Sequence, residues 1–304
     1  MKNYINYYYG MEVDNISYTE QKYTFNYAKK KYIFKECKNI NIKLYYMELM
    51  HQLLKYQKFY KLIPNRNNNI ITVINGKFFI LLQVNNAVDE KIDDNDLNNR
   101  FYVEDINKLQ LINHFPWHSF WEQKIDYIEE VFESKKGKYK KIHFLFSFFI
   151  GMAENALMYA KKAEVDDMPS PCDRLCFQHN RVNKNTTNGE YYDPINLIID
   201  HSSRDISEYI KYNIFNSSFE IKQITDYLKK YNVSTYWLKM LYARIMFPSP
   251  FFDYIEEVLK KEKLQLNNAQ MEKKIIDIIE NLKQISIVLN IEYHIPTISW
   301  ITKK

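Results

Sequence analysis

The chain has 304 residues, of which 46% are hydrophobic and 26% charged, with a net charge of +5. That is enough apolar material for one large domain or two smaller ones. The mild basic excess falls short of a nucleic-acid footprint, and with only five glycines no G-x-G-x-x-G or G-x-x-x-x-G-K-[ST] phosphate loop can be drawn.

The 26 tyrosines go with heavy use of lysine, asparagine and isoleucine, all encoded by AT-rich codons, so they do not argue for base stacking. The runs "YAKKKYIFKECK" and "ESKKGKYKK" read as solvated faces. Cys37, Cys172 and Cys176 are an odd, sparse set, which suits a reducing compartment at synthesis better than a disulfide framework. No apolar h-region follows the N-terminal "MKNYINYYYG".

In chain order, "KYTFNYAKKKYIFKEC" has two aromatic and β-branched runs about a polar connection and predicts a hairpin. "NIKLYYMELMHQLLKY" places Ile42, Tyr46, Leu49, Met50, Leu53 and Leu54 at helical spacing, with Asn39 or Asn41 as the cap. "NNIITVINGKFFILLQV" carries Asn75-Gly76, the strongest short-range hairpin signal. The order is thus β-β-α-β-β. Residues 86–100, acidic and rich in asparagine, read as a linker.

Beyond the linker the pattern is mainly helical. Trp117 and Trp121 open a helix to about Phe132. Residues 141–162 predict a second, largely buried one, whose His143, Ser147, Glu154 and Asn155 argue against a membrane span. "INLIID" is a short strand. "SRDISEYIKYNIF" turns helical, with Ser203 placed to cap it. "VSTYWLKMLYARIMFPSPFFDYIEEVLKK" is helical with a break at Pro248 and Pro250.

Several separated motifs in this order, "FFIGMAENALMYA", "QHNR", "LIIDHSSRDISEYI", "LYARIMFPSPFFDYIE" and "HIPTISW", resemble the spore coat kinase-like family of endospore-forming bacteria. The YutH branch, related to the CotS type, is the nearest. The resemblance runs from about Tyr23 to Trp300. The wider superfamily holds aminoglycoside phosphotransferases and choline kinases. It implies an α+β, two-lobed protein-kinase-like fold. A small β-rich lobe would span 1–85, and a helical lobe 86–304, with the connection near Leu81–Asn85.

The resemblance also assigns roles. Active relatives carry His-x-Asp in the catalytic loop, followed by a metal-binding asparagine. Here "HNR" puts His179 at the histidine and Arg181 where the aspartate belongs. Thr186 stands at the asparagine position, with Asn185 one residue early. An arginine, with a pKa above about 12, accepts no proton. A positioned base contributes about 10²–10⁴-fold, so the loop reads as degenerate. Asp200 matches the metal-binding aspartate; on residue pattern alone it is a turn at a strand end. Asp205 matches the aspartate that braces the catalytic loop, and as an acid in a first helical turn it would add about 0.3–1 kcal/mol regardless. Lys35 matches the phosphate-contacting lysine and Glu48 its ion-pair partner. Both also fit ordinary polar faces.

Two further clusters carry ionisable groups. Cys172, Cys176 and His179 have spacing that a zinc site would rarely use. Glu154, inside an apolar helix, calls for a cation, and a bridge to Arg181 or Arg204 is expected.

The resemblance therefore implies a pseudokinase acting as a scaffold in the spore coat, made in the mother-cell cytoplasm. Its partners would be other spore coat proteins, not nucleic acid or membrane. The alternative is an active ATP-dependent phosphotransferase, in which Asp200 holds magnesium, Lys35 contacts the phosphates of ATP and His179 aligns the acceptor. A third reading keeps ATP as a structural switch.

Overall fold

A six-stranded antiparallel sheet carries the N-terminal part of the chain. The computed structural model describes residues 1–37, 46–84, 89–97, 100–109, 113–134, 143–261 and 268–302. After helix α1 (Lys2–Tyr9) come β1 (Ser17–Thr19), β2 (Lys22–Tyr27) and β3 (Lys30–Glu36). Helix α2 (Tyr46–Leu53) is followed by β4 (Lys61–Ile63), β5 (Thr72–Ile74) and β6 (Lys77–Val84). The β2–β3 hairpin pairs Tyr23 with Phe34 and Phe25 with Tyr32. β3 continues onto β6, with Phe34 opposite Leu81. β4 and β5 both pair with β6, at different places along it.

Turn chemistry sets the β5–β6 register. Asn75 and Gly76 have φ of 50° and 76°, both left-handed, which joins the strands with the right twist. Phe25, Phe34, Phe79 and Leu81 form the sheet core with Ile5 of α1. Phe34 stacks on Phe79 with ring centroids 5.0 Å apart. Helix α1, β1 and β4 were not legible in the sequence: each is short, and its order comes from packing on this sheet. The proposed caps Asn39 and Asn41 lie outside the described residues, as does residue 85 of the expected connection.

The chain divides into two units. The first comprises residues 1–92, 103–112 and 185–197. Its last segment includes the one-turn helix α6 (Asn188–Tyr191), and the Tyr60 amide donates to the Tyr192 carbonyl at 3.0 Å.

The second unit is mainly helical. Chain order gives α3 (Asp94–Leu97), α4 (His118–Glu133), α5 (His143–Asp166), β7 (Leu175–His179), β8 (Leu197–His201) and α7 (Arg204–Phe215). Then follow α8 (Lys222–Lys230), α9 (Thr235–Met246), α10 (Ser249–Lys261), α11 (Asn268–Tyr293) and α12 (Ser299–Thr302). β7 and β8 pair with each other. Helix α9 is the hub, with Trp237, Leu241 and Tyr242 buried, and α5 and α7 pack on it. Alanines 153, 156, 160 and 163 of α5 are buried, small enough for helices to approach closely. Ser234 caps α9, its Oγ accepting from Trp237 N at 2.8 Å. Pro248 separates α9 from α10 because it cannot supply the next helical N–H. Phe132 stacks on Phe146 at 3.8 Å, tying α4 to α5. Among the described residues no helix is long and apolar enough to cross a membrane.

Candidate functional site

Strand β7 ends at His179, and α7 starts opposite it. Asp205, in the first turn of α7, takes His179 by both its groups. Its Oδ1 accepts from the His179 amide at 2.9 Å, and Oδ2 lies 2.7 Å from Nδ1. The Asp205 amide in turn donates to Gln178 Oε1 at 2.8 Å. The carboxylate thus clamps the loop backbone and fixes the imidazole orientation. Ser203 precedes α7 without capping it; its hydroxyl lies 2.8 Å from His201 Nδ1 instead.

Asp200, the penultimate residue of β8, has no exposed surface. Its Oδ1 accepts from Trp117 Nε1 at 2.7 Å and from the His201 amide at 2.6 Å. Its Oδ2 is ion-paired with Arg204. The same guanidinium donates to the His179 carbonyl at 2.6 Å and the Asn180 carbonyl at 3.1 Å. Arg204 therefore joins the strand-end carboxylate to the loop backbone as a fixed cation. These residues do not fit a magnesium ion. Both carboxylate oxygens are engaged, and a divalent cation beside a guanidinium would meet like charge without screening water. Asp200 is thus held in an internal salt bridge with Arg204.

Arg181 turns to two acids. Its Nη1 lies 3.4 Å from Glu208 Oε2 and its Nη2 3.1 Å from Asp253 Oδ2. Glu208 is buried, and also receives Lys211 Nζ at 2.9 Å and Arg244 Nε at 3.0 Å. Lys211 reaches Ser249 Oγ at 3.0 Å. The Arg244 guanidinium sits 4.8 Å above the Trp117 ring, a cation–π contact. Burial alone would raise the Glu208 carboxyl, but Lys211, Arg244, Arg181 and Arg204 together hold it below the carboxylate range. Burial pushes Lys211 down to about 7 against the pull of Glu208, and Arg244 to about 10. Chemically this is a network of charges in which three cations share one buried carboxylate, with Arg181 and Asp253 at its exposed edge.

In the first unit, Lys35 leaves the end of β3 and ion-pairs with Asp193. Asp193 Oδ1 also accepts from Ile195 N at 3.1 Å. The expected Lys35–Glu48 pair is thereby corrected: Glu48 instead accepts from Gln52 Nε2 at 3.1 Å, one turn along α2. Thr186 is buried, its carbonyl accepting from Ile92 N at 3.1 Å. Asn185 Oδ1 accepts from Lys91 Nζ at 3.3 Å.

Glu154 requires a second correction. It is exposed on α5, because its phase falls opposite the alanine face, and it needs no buried partner. The cations expected to meet it are used elsewhere, Arg204 by Asp200 and Arg181 by Glu208 and Asp253. Cys176 is buried, and that burial pushes its thiol up in pKa, away from nucleophilic or ligand chemistry.

Sequence reading missed Glu208, Lys211, Arg244 and Asp193. A signal existed for the first three. Each is a charge set among apolar residues of a helix, in "SEYIKYNIF" and "YARIMF", where a lone ion is costly and a partner is implied.

The family profile described as "Spore coat putative kinase YutH" matches residues 2–290. The endospore coat-associated protein YutH of Bacillus subtilis (strain 168) is 27% identical over 153 residues, 46% of this chain and 45% of that protein. The match thus spans less than half of the curated relative's length. Spectinomycin phosphotransferase APH(9)-Ia, solved as its AMP-bound complex, has a TM-score of 0.57 and 12% identity, covering 96% of this chain and 98% of that one. At that identity the likeness is one of fold: an α+β, kinase-like aminoglycoside phosphotransferase fold.

Proposed function

The chain belongs to the YutH family of spore coat kinase-like proteins, and we propose that it works as a pseudokinase scaffold in the spore coat. On this reading it is made in the mother cell and binds other coat proteins through its surfaces, with no phosphoryl transfer. The observation that carries the reading is Arg204. Its guanidinium links Asp200 to the carbonyls of His179 and Asn180, so a permanent protein cation does the neutralising that an exchangeable metal would do in an enzyme. Arg181, engaged with Glu208 and Asp253, adds a second argument: it has no proton-accepting capacity. Lys35, held by Asp193, adds a third.

The rival reading, an active ATP-dependent phosphotransferase, needs Asp200 released from Arg204 and Lys35 from Asp193 before nucleotide and metal can be held. Thermal unfolding with and without millimolar Mg-ATP, repeated in EDTA, separates the two. A ligand at 100 times its dissociation constant adds about 2.7 kcal/mol, which moves the midpoint by roughly 4 °C for a chain of this size. We expect no metal-dependent shift. A shift that EDTA removes would show that Mg-ATP binds and would overturn the argument from Arg204; phosphoryl transfer to an acceptor would then separate an active enzyme from a protein that keeps ATP as a structural switch.

A further inference from the structure

The segment 185–197 belongs to the first unit and is fastened to it by backbone and ring contacts. Ile92 N donates to the Thr186 carbonyl at 3.1 Å, Asn188 N to the Glu90 carbonyl at 2.8 Å and Tyr60 N to the Tyr192 carbonyl at 3.0 Å. Phe59 meets Tyr192 edge-on with ring centroids 5.8 Å apart, and Tyr191 and Tyr192 are buried. The segment also braces itself. Thr187 and Glu190 form a capping box at α6, and Asn196 Nδ2 donates to the Glu190 carbonyl at 2.9 Å. Asp193 is thus presented from a rigid support. Its Oδ1 accepts from Ile195 N, which fixes the carboxylate while Oδ2 meets Lys35.

Asp193 meets a place that calls for an anion. Lys35 of β3 stands directly opposite Lys22 of β2. The two ammonium groups therefore share one face of the sheet, and like charges so placed are destabilising. Glu20 pairs with Lys22 at 3.2 Å, but its side chain is 81% exposed, where an ion pair contributes little. Asp193, by contrast, pairs with Lys35 through a side chain only 4% exposed. Near it lies the Tyr60 hydroxyl, buried and without a hydrogen-bond partner. Burial, and then the charges of Asp193 and Asp89, push the pKa of that hydroxyl up. A buried donor left idle asks for an acceptor. Two lysines and an idle hydroxyl suit an oxyanion with several charges, and one internal carboxylate answers them only in part.

We propose that the segment 185–197 is an internal inhibitor of oxyanion binding, with the Asp193 carboxylate held on Lys35 where a phosphate group would otherwise sit. This rests on the pseudokinase reading and adds how the lysine position is kept shut. A carboxylate already in place on the same chain loses no translational freedom on binding, whereas an external anion does. The excluded class is that of linear phosphates, whether inorganic triphosphate or the phosphate tail of a nucleotide.

Titration calorimetry of the full chain in EDTA tests this, with inorganic triphosphate and ATP as separate probes. The unsubstituted chain should bind both weakly at most. Asp193→Asn removes the charge but keeps an acceptor for Ile195 N, and should bind both probes at least about tenfold more tightly. Adding Lys35→Met should abolish the gain. No gain in an Asp193→Asn chain with unchanged circular dichroism overturns the proposal, as does a gain that survives Lys35→Met. A gain for ATP alone overturns the phosphate assignment. A second measurement needs no variant. The Lys22 and Lys35 side chains are 26% and 21% exposed, so exposure alone predicts similar acetylation by acetic anhydride. Lys35 should nonetheless react more slowly, and equal rates overturn the latch. An EDTA-sensitive Mg-ATP shift in the unsubstituted chain would count against the pseudokinase reading, whereas the absence of a gain in Asp193→Asn counts against the latch alone.

Discussion

Glu208 shows how one buried residue can hold a region of the fold together. It lies 3% exposed and is shared by Lys211, Arg244 and Arg181. Removing one member of a buried ionic group is costly because the others stay buried without compensation. Glu208→Gln should therefore lower stability by about 3–5 kcal/mol in urea unfolding. Arg204→Ala should fall in the same range of about 3–5 kcal/mol, since it strands Asp200 and frees the carbonyls of His179 and Asn180. Lys211→Met should cost clearly less than either, because Glu208 keeps two cations. Equal losses for all three would mean that Glu208 is not the centre of the network.

Glycine has opposite effects in two elements. Gly76 sits at φ 76° in the β5–β6 turn, where an L side chain costs about 1–2 kcal/mol. Gly76→Ala should lower the thermal midpoint accordingly. Gly151 is inside α5 with open space around it, so Gly151→Ala should raise folding stability by about 0.5–1 kcal/mol. At the start of α9, Ser234 Oγ accepts from Trp237 N and also bonds Asp173 at 2.8 Å. Ser234→Ala should cost about 0.5–2 kcal/mol in the same unfolding assay. A loss near zero would mean that water replaces the cap.

For the whole molecule, three buried groups make stability depend on pH with one sign. Burial holds His201 at about 4, below its ordinary 6.5. Glu208 is held below its ordinary 4.5, and Lys211 lies at about 7 against 10.5. In each window the unfolded chain binds more protons than the folded one, so stability rises with pH. It falls as pH drops from 10.5 to about 7 through Lys211, from 6.5 to about 4 through His201, and below 4.5 through Glu208. The thermal midpoint at fixed ionic strength should climb from acid to alkaline pH. It should turn over where tyrosines such as Tyr227, held above their ordinary 10.0 by burial, begin to ionise in the unfolded chain. Lys211→Met should flatten the climb above neutrality. An unchanged slope in that variant would assign the alkaline arm to another group.

Local pattern was enough for the elements whose signal is local. The β2–β3 hairpin follows from two β-rich runs, and the β5–β6 turn from Asn75-Gly76. The α9–α10 break comes from Pro248, and the α4 and α5 helices from apolar spacing. Partner choice was not legible. Whether Lys35 meets Glu48 or Asp193, and whether Asp200 meets a metal or Arg204, depends on side chains that the fold brings together from separate segments. The face on which Glu154 lies depends on where α4 and α9 pack around α5. Periodicity names a buried face but does not say which charges converge there. Low dielectric then makes that convergence decisive, since each buried ion must find its counter-charge inside the protein.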